Sequence, residues 1–220
     1  IENEAFMKCI SLNKVTFENS TSSSSFLVEI GSNAFNECIE LDELIIPSSV
    51  ACIGSRAFYD CKYLKKIKLP SSLQEIKSES FLNCKSLESI IIPSSVTMIG
   101  ANAFQDCMSL NEVIFETSSS LTKIDRGAFK DCKFLKQIIL PSSLSIIEQE
   151  VFYECFSLAH INIPSSVTQI GILAFYCCIK LTEISIPSSV KIINSAFAQC
   201  EKLERVSFEK DSSMTKIGNH

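Results

Sequence analysis

The chain has 220 residues, 46% apolar and 20% charged, with a formal net charge of −5. That apolar content is enough for a continuous core and excludes a disordered chain. Acidic and basic residues are interspersed, against the basic stripe of a nucleic-acid groove, and no apolar run approaches the ~20 residues needed to span a bilayer.

The chain opens inside a repeat, Ile1-Glu2-Asn3-Glu4-Ala5-Phe6, and Cys9 follows three residues after the Phe. The same Phe-x-x-Cys spacing returns at Phe35/Cys38, Phe58/Cys61, Phe81/Cys84, Phe104/Cys107, Phe129/Cys132, Phe152/Cys155, Phe175/Cys178 and Phe197/Cys200. Successive Phe residues lie 29, 23, 23, 23, 25, 23, 23 and 22 residues apart. A period in this range signals a solenoid, whose units bury their apolar faces by stacking on one another. The expectation is one elongated domain, 1–220, of about nine repeats.

Within the repeat, a Leu stands six residues after every Phe, from Leu12 to Leu203. Apolar residues then alternate at nine and eleven after Phe, as in Ile90 and Ile92, mostly β-branched or aromatic. That period of two predicts a short strand with one face inward. The first, fifth and ninth repeats end this strand with Phe17-Glu18, Phe115-Glu116 and Phe208-Glu209, each followed by a Ser-containing extension. The longest extension, residues 19–25, is expected to bulge as a surface loop, and its Asn19-Ser20-Thr21 is a glycosylation sequon. The other six repeats end the strand with Pro47, Pro70, Pro93, Pro141, Pro164 and Pro187. Proline lacks an N–H and so ends a ladder, and two serines then turn the chain.

A second apolar pair follows, such as Val96/Ile99, with the spacing of a bent strand or a turn. The next segment, Ala-Phe-x-x-Cys in seven repeats, is expected to make one helical or 3₁₀ turn. The chain stops in mid-repeat, with Met214 and Ile217 as its last apolar pair and His220 as its terminus. Neither end shows a polar capping unit, so the expectation is a piece of a longer protein.

Residues 158–178 read Leu-Ala-His-Ile-Asn-Ile-Pro-Ser-Ser-Val-Thr-Gln-Ile-Gly-Ile-Leu-Ala-Phe-Tyr-Cys-Cys. This pattern, repeated over essentially the whole chain, resembles the BspA-like leucine-rich repeats, also called the Treponema pallidum type. The resemblance implies a curved leucine-rich repeat solenoid, a right-handed horseshoe with a parallel sheet on its concave face. It also implies a surface-exposed protein active in adhesion to host proteins or other cells, with no catalytic residues to carry over.

Eleven cysteines invite a disulfide reading. Stacked coils ~4.8 Å apart would bring adjacent Cys within bridging range. Nine of the eleven nevertheless share one repeat position, three residues before an inward Leu. A ladder of buried thiols donating to backbone carbonyls is the favoured reading over bridges or metal, and the resemblance implies the same. No C-x₂-C pair exists and only two His are present, so zinc spacing is absent. Cys52 and Cys177 lie outside the ladder as candidate exposed thiols.

No phosphate loop, H-E-x-x-H or G-x-S-x-G is found. The serines after Pro are repeated turn residues, and no triad assembles around His160. The chain reads as a protein without enzyme activity, cofactor or metal, and its partner as a protein rather than nucleic acid or membrane.

Function should therefore lie at the outward strand positions, seven, eight and ten after Phe. The tenth-position row runs Thr16, Ile45, Lys68, Ile91, Ile114, Ile139, Asn162, Ser185, Ser207. An isoleucine stripe with polar ends is a candidate interaction surface, although β-branched residues also simply suit strands. The expected partner-binding residues are Ile45, Lys66, Lys68, Ile91, Glu112, Ile114, Gln137, Ile139 and His160. A host extracellular-matrix or cell-surface protein is the expected partner, at the cell surface or in secreted form. An intracellular scaffold or a structural spacer is the alternative.

Overall fold

Every coil of the chain turns on one Phe, and the nine Phe rings form a single stack. The computed structural model describes residues 1–17 and 27–210, and the backbone of Lys216–Ile217. Adjacent rings, from Phe6 through to Phe197, lie with centroids 5.0–5.8 Å apart and planes within 17° of parallel. Seven of them, Phe35 to Phe175, are completely buried. The inward Leu row joins them in a core that runs the length of the stack.

The described residues form seventeen short strands and no helix. In chain order they begin β1 (Glu29–Ile30), β2 (Glu43–Ile45), β3 (Cys52–Ile53), β4 (Lys66–Lys68), β5 (Glu75–Ile76), β6 (Ser89–Ile92), β7 (Met98–Ile99), β8 (Glu112–Phe115) and β9 (Lys123–Ile124). They continue β10 (Gln137–Ile139), β11 (Ile146–Ile147), β12 (His160–Asn162), β13 (Gln169–Ile170), β14 (Glu183–Ile186), β15 (Ile192–Ile193), β16 (Arg205–Phe208) and β17 (Lys216–Ile217).

The solenoid is parallel throughout, but its hydrogen-bonded sheet lies on the side the sequence left ambiguous. The odd-numbered strands, built on the second apolar pair, make one continuous nine-stranded sheet. The even-numbered strands pair only two by two: β2 with β4, β6 with β8, β10 with β12, and β14 with β16. Proline explains their different lengths. Glu116 and Glu209 keep an N–H, which donates to the Ile92 and Ile186 carbonyls one coil back, at 3.1 and 3.0 Å. Those pairs, β6/β8 and β14/β16, are four residues long. The other two pairs, whose later strands are followed by Pro, are three. The same glutamates reach back with their side chains, accepting the Ser94 and Ser188 N–H groups at 3.0 and 3.1 Å.

The Ala-Phe-x-x-Cys corner corrects the expectation of a helical or 3₁₀ turn. The residues two before and two after each Phe have positive φ in all nine coils, for example Asn33 and Glu37 at 56° and 59°. This is the sign pattern of successive type II turns, not of a helix. Alternation of the backbone sends alternate amides in different directions. Ala34 and Cys38 close turns within the coil, while the Phe35 N–H donates across to the Ala57 carbonyl at 2.8 Å. A right-handed helix would point every amide along its own axis and leave neighbouring coils unbonded. Asn and Asp tolerate this conformation best, and they hold several of the positions. Leu173, at φ 55°, is an exception without a polar side chain to explain it.

Coils approach closely at the Gly following the second apolar pair. A Cβ on Gly100 would lie 2.6 Å from the Ser78 nitrogen. The residues expected inward are buried through the middle of the stack apart from the half-buried Phe115 and Ile161, but Val206 and Phe208 in the last described strand pair are 44% and 47% exposed. No described coil covers them. The predicted loop 19–25 with its sequon, Met214 and His220 lie outside the described residues.

Candidate functional site

The cysteine row is structural. From Cys38 to Cys200, each ladder thiol donates to the Phe carbonyl one coil back, at 3.1–3.3 Å. All eleven cysteines are free. From Cys38 on, burial pushes the ladder thiols up, Cys38 and Cys200 to about 11 and those between them further, because a thiolate there would lose its water. The exposed member is Cys9, which has no described coil before it; Cys52 and Cys177, expected to be exposed, are half-buried.

The serines after Pro do more than turn the chain. Ser49, Ser72, Ser95, Ser143, Ser166 and Ser189 each donate a hydroxyl to the carbonyl of the second-pair apolar residue one coil back, at 2.5–2.8 Å. Both ladders join one coil to the next, and the residues expected to bind a partner lie elsewhere, on the outward face of β2 to β16.

Alternation along each strand puts the expected residues on that face. In β4 the pattern is exposed, buried, exposed for Lys66, Ile67 and Lys68. Ile45, Ile91, Ile114 and Ile139 are 70%, 53%, 41% and 78% exposed, although Ile is normally buried. Parallel register sets them side by side: Ile45 opposite Lys68, Ile91 opposite Ile114, and Ile139 opposite Asn162. Glu112 and Gln137 are exposed beside the row, and His160 lies opposite Gln137, facing solvent. At ~4.8 Å per coil, the row from Ile45 to Ile139 covers about 19 Å.

Part of the charge on this face is paired internally. Lys65 lies 3.0 Å from Asp42, whose carboxylate holds the ammonium above its ordinary value, and Lys66 lies 3.9 Å from Glu43. Arg205 lies 3.6 Å from Glu183. Lys68, within the isoleucine row, forms no ion pair with any described residue.

Past Ile139 the row turns polar and the surface is hollowed. A depression of about 590 Å³ spans β10 to β16, with Asn162, Ser185 and Ser207 along its floor. The Glu183–Arg205 pair flanks it. Sequence reading placed the polar end of the row but missed this pair, which is visible only once strand register is known.

A family model described as the BspA type leucine rich repeat region, in six copies, matches residues 1–135 and 114–220. No curated protein matches the chain. Among solved structures, the chain is similar to a T. pallidum leucine rich repeat protein, with 34% identity and a TM-score of 0.65 over 70% of this chain and 71% of that one. It is similar to a leucine rich cell surface protein of Faecalibacterium prausnitzii, at 28% identity and TM-score 0.46, over 99% of this chain and 72% of the other. A leucine-rich repeat protein from Bacteroides ovatus is 27% identical, with TM-score 0.49, over 83% of this chain and 64% of its own.

Proposed function

Because the chain belongs to the BspA-type leucine-rich repeat family, we propose that it is a protein-binding module of a surface or secreted protein, serving adhesion or host-protein interaction through its β2–β16 face. The observation that supports this most is the run Ile91, Ile114 and Ile139, with Ile45 beyond Lys68, all held on strands yet open to solvent. Fully covering an isoleucine contributes up to about 3 kcal/mol, so a few such contacts suffice for a central anchor. Charged and polar residues around the row, Lys66, Glu112, Gln137 and His160, form the rim expected of a protein interface.

The double variant Ile91→Ser/Ile114→Ser tests the reading. Both side chains leave the core untouched, so the far-UV spectrum and melting temperature should be retained. Binding to immobilised extracellular-matrix proteins and to intact host cells should fall by about tenfold or more, the consequence of losing some 1.4 kcal/mol. Equal binding by the variant and the parent would overturn the assignment of this face. A spacer that merely projects another domain would show that result.

A further inference from the structure

We infer that the occupant of the isoleucine row is a polypeptide segment with aliphatic side chains on both sides of a carboxylate, and that the carboxylate seats on Lys68. The inference rests on the face proposed above and adds the chemistry of what it takes. Lys68 stands in line with the isoleucines, between Ile45 and Ile91, so a partner covering the row must also cover Lys68. The two isoleucines flanking it are 70% and 53% exposed, which keeps its ammonium in water while the face is free.

Covering the row removes that water. A charge taken from water without a partner is costly, and it is tolerated only when paired and hydrogen-bonded. The acids one coil back from Lys68 pair elsewhere: Asp42 lies on Lys65 and Glu43 on Lys66. Among the described residues, no acid reaches Lys68. The missing negative charge must therefore arrive with the partner. Its position is set by the stack, about one coil, ~4.8 Å, from aliphatic contacts on either side. Toward Ile114 and Ile139 the segment continues apolar, and at Asn162 it becomes polar. A wholly apolar segment would leave the ammonium buried and unpaired, and a basic one would add repulsion.

A display library of random dodecapeptides selected on the folded chain tests this. The expected consensus is an Asp or Glu between aliphatic residues, in peptides that lose binding to Ile91→Ser/Ile114→Ser. Against Lys68→Glu these peptides should weaken by about tenfold or more, and reselection on that variant should exchange the acid for Lys or Arg. Binders that need the isoleucines, lack an acid and ignore Lys68→Glu would overturn the inference while leaving the face intact. A selection giving no binder sensitive to Ile91→Ser/Ile114→Ser would overturn both. Lys68 is exposed, so its substitution leaves the fold unchanged, which thermal melting verifies.

Discussion

At Cys107 a buried sulfur donates to the Phe81 carbonyl, and a thiolate could do neither the donating nor the burial. The pKa of each ladder thiol from Cys38 to Cys200 is therefore higher in the folded chain than in the unfolded one, where cysteine titrates near 8.5. The folded state keeps protons that the unfolded state releases above that pH. The stabilisation is complete below about pH 8.5 and is lost as pH rises toward the folded values, about 11 for Cys38 and Cys200. In reducing buffer the melting temperature should fall steeply between about pH 9 and pH 11. The Cys107→Ser variant keeps a donor that does not titrate in this range, so its melting temperature should fall less steeply, and equal slopes would argue against thiol titration. The isoleucines on the strand face differ from the thiols in standing 41–78% exposed.

Between elements, a single residue after the strand decides how two coils join. Where Glu116 replaces Pro, it supplies the N–H to Ile92 and the carboxylate to Ser94. The Glu116→Pro variant restores the repeat's commoner residue but removes both bonds. At about 0.5–1.5 kcal/mol each, partly offset by the stiffer unfolded chain, the expected cost is about 1–2 kcal/mol in urea unfolding. Glu116→Gln retains an acceptor and should cost less than half as much. A Glu116→Pro chain as stable as the parent would show that these bonds add nothing beyond what water provides.

Across the whole molecule, each coil contacts only its neighbours, so stability is close to a sum of coil and interface terms. The Phe stack makes position along the array matter. Phe104 is fully buried between two rings, whereas Phe6 is 40% exposed with a described neighbour on one side only. Phe104→Ala should cost about 3–5 kcal/mol and split or broaden the unfolding transition. Phe6→Ala should cost less than half of that and leave one transition. Equal costs in urea titration would contradict a nearest-neighbour array.

The period, the inward rows and the thiol ladder were legible in the chain because each depends on one repeated residue type at one repeated position. The outward isoleucine row was legible for the same reason, since strand alternation carries Ile91 and Ile92 to opposite faces. Tertiary structure alone decided three things. Left-handed φ values at the corner, rather than a helix, follow from amides that must bond to the next coil, and residues such as Glu37 or Leu173 carry no local mark of it. The continuous sheet fell to β1–β17, whereas the other row pairs only two by two, a division set by how neighbouring coils stack. And Lys68 stands without an ion pair to any described residue because stacking places Asp42 on Lys65 and Glu43 on Lys66, a matter of register between coils that no single repeat contains.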